Sequence, residues 1–525
     1  MSKEDDVVGN LLGVTTPTEI AIRISPRIVR REPLQLGEYL MIDYQHEDFK
    51  EPVLARVSDI RLENLDMPVS VLNRPEDFRA LSMMGDLSEG EVLTARAVVV
   101  GYLDKRNKLV VPRFTPPPGA AVRRATTELL SRAFGHGHVR IGVLRSNEQV
   151  EVKLDVNEIT RRHLAILAIT GGGKGNTVAV LTSRVLALGG TVLIVDPHNE
   201  YVQMRESVHG KVQVFSVESD LTKGIRPLRF RFNSFRPEDY FSILRISEAA
   251  HKQRALLRKV LGNLQGTTWD LDDLRTALNR TGDDTEAQEQ SSSIIDRIDG
   301  TTEFVVFDKT EEVPLRGAPG LLTKGCMTVL ALAGLDTDVQ QAIVRHVCQI
   351  IFRAAVRWKR NEDGEKTPGP VLIVVEEAHN FVPSKQTASS SRILTKIASE
   401  GRKFGVGLCI ISQRPGKVDS DALSQCNSMI ILRIVNPHDQ KQIELSAEAM
   451  SRDLMDELPG LNVGEAIIFG PAINLPGLVK VDKYEGTLGG EDLDIVSLWS
   501  EADQSEDQIV RQYDDSDSAY RRKRK

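Results

Sequence analysis

Few properties of this chain are extreme, and its shortages are informative. Aromatic residues make up only 5% of the 525, with 3 tryptophans. The 4 cysteines, Cys326, Cys348, Cys409 and Cys426, contain no C-x-x-C pair. That argues against a zinc site or a disulfide framework and for buried, reduced thiols in an intracellular protein. No apolar run approaches the roughly 18–20 residues that span a bilayer. The opening MSKEDDVVGN lacks the basic-then-apolar order of a secretion signal. A basic excess is also missing. Lys+Arg number 67 against 74 Asp+Glu, for a net charge of −7. This excludes a small, wholly basic DNA-binding module but leaves room for a local basic channel in a large protein.

What is present is ordinary globular composition, 41% hydrophobic and 27% charged, in a length that suggests about three domain-sized units. Residues 1–115 read as β-rich, with short runs at Glu19–Ile24, Glu38–Asp43, Pro52–Val57, Val92–Tyr102 and Lys108–Phe114. Close spacing of such runs predicts a small barrel. The stretch Thr115-Pro116-Pro117-Pro118-Gly119 marks a boundary. Residues 116–138 then form a linking segment, helical in part. From 139 to 485 apolar strands alternate with helices. The strands are Leu164–Ile169, Thr191–Val195, Val212–Phe215, Met327–Leu332, Val371–Val375, Val406–Ile411, Met429–Ile434 and Glu465–Phe469. Near-continuous apolar strands of this kind predict a parallel α/β sheet covered on both faces. Residues 234–310 read as a helical insertion, with helices in Phe241–Leu264, Leu271–Leu278 and Ser291–Ile298 and a polar loop over Thr281–Ser293. Residues 486–525 form an acidic extension ending in five basic residues, Arg521 to Lys525. These are either a solvated tail, a DNA-phosphate contact or a strap between subunits.

An apolar strand, His163 to Ala168, leads into Ile169-Thr170-Gly171-Gly172-Gly173-Lys174-Gly175-Asn176-Thr177 and then a helix. Strand, glycine loop and helix together define a phosphate-binding loop. Glycines let the backbone approach phosphate oxygens, and the helix N-terminus supplies N–H donors. Thr170 to Thr177 are therefore the expected ATP-binding residues, with Lys174 reaching the β- and γ-phosphates. Two positions depart from the G-x-x-x-x-G-K-[ST] pattern. Ala168 stands where the first Gly belongs, and Gly175 where a Mg²⁺-ligating hydroxyl belongs. Waters, nucleotide oxygens and a nearby carboxylate can hold Mg²⁺ instead.

Val371–Val375 ends in Glu376-Glu377-Ala378-His379. At the C-terminal end of a parallel strand both carboxylates can face the ligand crevice. Glu376 suits the Mg²⁺ shell, and Glu377 suits the base that orients the attacking water. Val406–Ile411 ends in Ser412-Gln413-Arg414-Pro415, where Gln413 can hold the γ-phosphate or the water. Asp196, His198, Glu200 and Tyr201 follow another strand. Asp196-Pro197 reads equally well as a turn or as part of the site.

Six segments in order carry a resemblance. They are Arg162-His163-Leu164, Asp-Pro-His-Asn-Glu-Tyr at 196–201, Val-Val-Glu-Glu-Ala-His-Asn-Phe-Val-Pro at 374–383, Glu-Gly-Arg-Lys-Phe-Gly at 400–405, Ser-Gln-Arg-Pro at 412–415 and Ile-Leu-Arg-Ile at 431–434. With the phosphate loop, the chain resembles the HerA branch of the HerA/FtsK motor ATPases over nearly its whole length. The resemblance implies a RecA-like P-loop NTPase core with a helical insertion, plus a HAS-barrel-like N-terminal β-barrel. It implies a homohexameric, ATP-driven translocase and helicase on double-stranded DNA, cytoplasmic and nucleoid-associated, with no membrane partner. The implied partners are a NurA-type nuclease, held by the barrel, and the Mre–Rad break-processing complex in the same end-resection pathway. Archaea are the typical source.

A ring motor takes a cation from the neighbouring subunit to stabilise transition-state charge. Arg402 is the first candidate, followed by Arg162 and Lys385; each reads otherwise as plain surface charge. The small, polar, basic segment from Ser384 to Arg392 either lines a DNA pore through Lys385 and Arg392 or caps the next helix. Two other functions fit less of the chain. One is a nucleotide-gated clamp or nuclease scaffold with weak turnover. The other is a conjugation or secretion ATPase.

Overall fold

The computed structural model describes residues 7–25, 33–44, 51–64, 91–208, 210–280, 285–308, 318–360, 369–447 and 450–489. The basic run Arg521 to Lys525 and most of the 486–525 extension lie outside the described residues.

The N-terminal strands are β1 (Val7–Thr15), β2 (Glu19–Ile24), β3 (Tyr39–Ile42), β4 (Val53–Asn64), β5 (Glu91–Leu103), β6 (Leu109–Val110) and β7 (Ala121–Arg124). Their order is β2-β1-β7-β3-β4-β5, and β5 pairs back onto β2. Six strands therefore close into a barrel, and β6 is a short hairpin partner of β5. Alternation drives the closure: Ile20, Ile22 and Ile24 point inward from β2, beside Leu40, Val57 and Ala97. The segment expected as a linker supplies the barrel's last strand, β7, between β1 and β3. The barrel thus reaches Arg124 instead of stopping before the proline run.

The remaining strands are β8 (Val139–Leu144), β9 (Asn147–Leu154), β10 (Leu164–Leu167), β11 (Thr191–Asp196), β12 (Val212–Ser216), β13 (Ile225–Pro227), β14 (Phe230–Arg231), β15 (Phe307–Asp308), β16 (Met327–Ala331), β17 (Val371–Val375), β18 (Val406–Ser412), β19 (Ser428–Ile431), β20 (Glu465–Phe469) and β21 (Gly477–Val481). Twelve of them form one sheet in the order β13-β12-β16-β11-β17-β18-β10-β19-β20-β21-β8-β9. Pairing is parallel from β13 to β19 and antiparallel from β19 to β9. Successive residues of one strand feed opposite cores. Ala165 and Leu167 join one apolar cluster, and Leu164, Ile166 and Ala168 the other. Burial on both faces explains why these strands read as unbroken apolar runs.

The insertion carries helices Pro237–Ile243, His251–Asn263, Leu271–Asn279 and Thr285–Asp299. The expected helix over Phe241–Leu264 divides at Arg245, whose φ of 53° is left-handed. The expected polar loop Thr281–Ser293 is helical from Thr285; residues 281–284 lie outside the described residues. The scarce aromatics gather here. Phe232 packs against Trp269 and Phe307 at 5.1 Å between ring centroids. Asp239, 1% exposed, pairs with Arg345 of helix Thr337–Lys359 and ties the insertion to the sheet layer.

Barrel and core meet through polar contacts, two of them anchored by the buried Arg56 and Tyr39. Arg56, 3% exposed, donates to Asp453 at 2.5 Å. The Tyr39 hydroxyl donates to the Pro476 carbonyl. Arg145 bridges the Leu36 carbonyl and Glu457, each at 3.0 Å.

Candidate functional site

β10, β11, β17 and β18 are neighbours in the sheet, so their C-terminal ends share one edge. The phosphate loop leaves β10 there. Gly171 (φ 74°) and Gly173 (φ 96°) adopt left-handed conformations that side chains resist. A Cβ on Gly173 would also lie 3.4 Å from both Leu432 Cδ2 and Gly464 N. Helix Lys174–Ala187 begins directly after it. Ala168 causes no conflict: it is fully buried at the end of β10 and belongs to the core.

Lys174, 7% exposed, donates to Glu376 Oε2 at 3.1 Å and to Glu377 Oε1 at 2.8 Å. The chain turns sharply after β17, and Glu377 has φ 46° and ψ 47°. That left-handed turn brings both carboxylates onto one lysine. Gln413, at the end of β18, donates to Glu377 Oε1 at 2.7 Å and accepts from Thr170 Oγ1. One amide thus joins the phosphate loop to the second glutamate. Tyr201, fully buried, donates its hydroxyl to Glu376 Oε1. His379 Nδ1 lies 3.2 Å from Glu377 Oε2 and 3.3 Å from Ser412 Oγ.

The two glutamates are electrostatically unlike. Burial pushes Glu376 up to about 7, against the opposing pull of Lys174 and the Tyr201 hydroxyl. Burial acts upward on Glu377 too, but Lys174, His379 and Gln413 together hold it below the usual carboxylate range. Burial alone would depress Lys174, yet the two carboxylates outweigh it and hold the ammonium charged. Near neutrality Glu377 is therefore ionised, the form a general base requires, while Glu376 is only part ionised.

Asp196 makes the turn that the first of its two readings expects. It is fully buried and accepts N–H bonds from His198 (3.3 Å), Glu200 (3.0 Å) and Tyr201 (2.8 Å). It is a turn anchor, and the turn delivers Tyr201 to Glu376. Burial outweighs these three bonds and raises Asp196 to about 6.

Other expected residues are engaged elsewhere. Thr177 Oγ1 donates to the Gly173 carbonyl at 3.0 Å. Asn176 binds the Asp482 carbonyl (2.9 Å) and the Tyr484 N–H (2.7 Å), holding a C-terminal strap over the start of the helix. Gly172 is buried within the loop, while Gly175 and the exposed Thr170 flank it. Arg162 and Arg402 are both exposed at the opposite edge of the sheet, where β10 and β18 begin. Arg162 pairs there with Glu158 at 3.2 Å. Lys385 and Arg392 are exposed beyond the Glu377 turn. Between them Ser390 and Ser391 donate to the Phe381 carbonyl at 2.6 and 3.4 Å, tying this stretch back to the Glu377 turn, while helix Ser391–Glu400 starts without a side-chain cap.

Sequence reasoning did not find the Asn176 strap, whose partners lie over 300 positions away. His163 is buried, has φ 59°, and accepts the Leu408 N–H at 3.0 Å, fixing β10 against β18. Burial depresses its pKa to about 4.

A family model described as "Helicase HerA, central domain" matches residues 139–351. The "DNA double-strand break repair helicase HerA" of Sulfolobus acidocaldarius is 34% identical over 95% of this chain and 98% of its own. The protein of that name from Saccharolobus solfataricus is 31% identical over 95% and 97%. "Probable helicase MJ1565" of Methanocaldococcus jannaschii is 32% identical over 94% of each chain. The sheet order, the phosphate loop with its paired glutamates and this near-full-length similarity agree. The chain is a P-loop NTPase of RecA-like fold with an N-terminal β-barrel, and it belongs to the HerA family of helicases.

Proposed function

We propose that this protein hydrolyses ATP to drive itself along double-stranded DNA, as a homohexamer, in the repair of DNA double-strand breaks. A NurA-type nuclease would be its partner in end resection, on the same pathway as a Mre–Rad complex. Its place would be the cytoplasm, at the nucleoid. The names of the relatives support the repair role. The observation that carries the chemistry is Lys174 Nζ at 3.1 and 2.8 Å from Glu376 and Glu377. No helix of the described residues is long and apolar enough to cross a membrane.

The residues fit a nucleotide with Mg²⁺. Two left-handed glycines leave the loop open to phosphate oxygens. Glu377 Oε2 is buried without a hydrogen bond, with His379 Nδ1 beside it at 3.2 Å, and so retains acceptor capacity for a bound water. Mg²⁺, when bound, would neutralise charge developing on the transferred phosphoryl group. Thr170 to Gly175 would cradle the phosphates, with Lys174 moving from the glutamates onto them. Glu376 would face the cation shell. Glu377, kept ionised, would orient water and accept its proton, and Gln413 would hold Glu377 in place. DNA would be bound through phosphates without base readout.

DNA-stimulated ATPase activity of the full chain tests this. Lys174→Ala and Glu377→Gln should each reduce turnover by roughly 10² or more. Parent-like hydrolysis in both would overturn the assignment. Gly175 favours a second reading, a nucleotide-gated DNA clamp of low turnover. Slow hydrolysis by the parent that Gly175→Ser speeds sharply would select it.

A further inference from the structure

We propose that Glu200 is a ligand, direct or through water, of the nucleotide's divalent cation, at the position that a phosphate loop ordinarily gives to a hydroxyl. The inference rests on the ATP-binding reading above. Its starting point is Gly175. The residue after the loop lysine normally offers an oxygen to Mg²⁺, and glycine offers none. The structure puts another oxygen there. A Cβ built on Gly175 would lie 3.6 Å from Glu200 Oε2, ordinary van der Waals contact. The carboxylate therefore stands beside the point from which a serine hydroxyl would act.

Glu200 is held there through its backbone. Its N–H donates to Asp196 Oδ1 at 3.0 Å. Its carbonyl accepts the Gly489 N–H at 2.7 Å. The preceding Asn199 takes a left-handed φ of 60°, which turns the chain back toward the phosphate loop. A Cβ on Gly489 would come within 2.6 Å of the Asn199 carbonyl oxygen, so only glycine lets the strap close on this turn. The side chain is left available: its carboxylate forms no hydrogen bond or ion pair among the described residues. A fixed backbone thus presents this carboxylate beside the phosphate loop, within electrostatic reach of Lys174.

Exchanging a hydroxyl for a carboxylate has a consequence of sign. Mg²⁺ prefers oxygen ligands, and a carboxylate binds it with a full negative charge. Without the cation that same charge repels the nucleotide's phosphates. Glu200 should therefore make nucleotide binding more dependent on Mg²⁺ than a hydroxyl would.

Equilibrium binding of a fluorescent, non-hydrolysable ATP analogue to the full chain, titrated with Mg²⁺, tests this. Glu200→Gln should raise the Mg²⁺ concentration at half-saturation at least tenfold, while metal-free binding stays equal or becomes tighter. Adding Gly175→Ser to Glu200→Gln should recover most of that loss. An unchanged Mg²⁺ midpoint would overturn the proposal. So would an equal loss of metal-free and metal-bound affinity, which marks a structural role. Failure of the ATP reading shows separately, as a parent that binds no analogue or a Lys174→Ala variant that binds it like the parent.

Discussion

The two edges of the central sheet treat charge in opposite ways. At the C-terminal edge Lys174, Glu376 and Glu377 are each at most 7% exposed and satisfy one another within the chain. At the N-terminal edge Arg162 and Arg402 face solvent. Buried charges must find partners in the same fold, whereas exposed ones gain little from a local pair and stay available. One edge thus pairs its charges within the chain, and the other leaves its arginines open to solvent.

The sharpest way to break this contrast is Arg402→Ala. If the N-terminal edge serves a neighbouring subunit, ATPase activity should fall roughly 10³-fold, as for other transition-state arginines, with thermal unfolding unchanged. Activity like the parent's would make Arg402 plain surface charge. Gln413→Ala probes the paired edge and should cost roughly 10² in turnover. Its clearest signature is in pH. Gln413 helps hold Glu377 low, so its loss should move the acid limb of the pH–rate profile upward. An effect on stability instead of turnover concerns His163, neutral by burial at the solvent-facing edge. Its pKa drops from the ordinary 6.5 to about 4 in the fold, so the unfolded chain binds the extra proton between those values. Stability should therefore rise with pH from about 4 to 6.5, by on the order of 3 kcal/mol from this group. His163→Gln should flatten that slope in urea titrations.

Legibility in the sequence followed the same division. Val371–Val375 and Glu465–Phe469 were readable to the residue, because burial on both faces leaves an unbroken apolar run that stops at a polar end. The loop and both glutamates were readable for the same reason. β1 hid behind two glycines, and β9, with sequence NEQVEVKL, shows one polar face. β7 and β21 are defined by partners far away in sequence, with β21 pairing Val479 to Leu144. No local pattern records such pairings. Glu200 beside Gly175 was hidden too, since a helix and a strand separate them in the chain.

The buried contacts of Arg56 and Tyr39 with the core carry a mechanical consequence. Breaking a buried ion pair of this kind costs about 3–5 kcal/mol, so the barrel does not swing on a tether. Barrel and core are joined as one stiff unit, so a body held by the barrel would keep a fixed bearing relative to the phosphate loop.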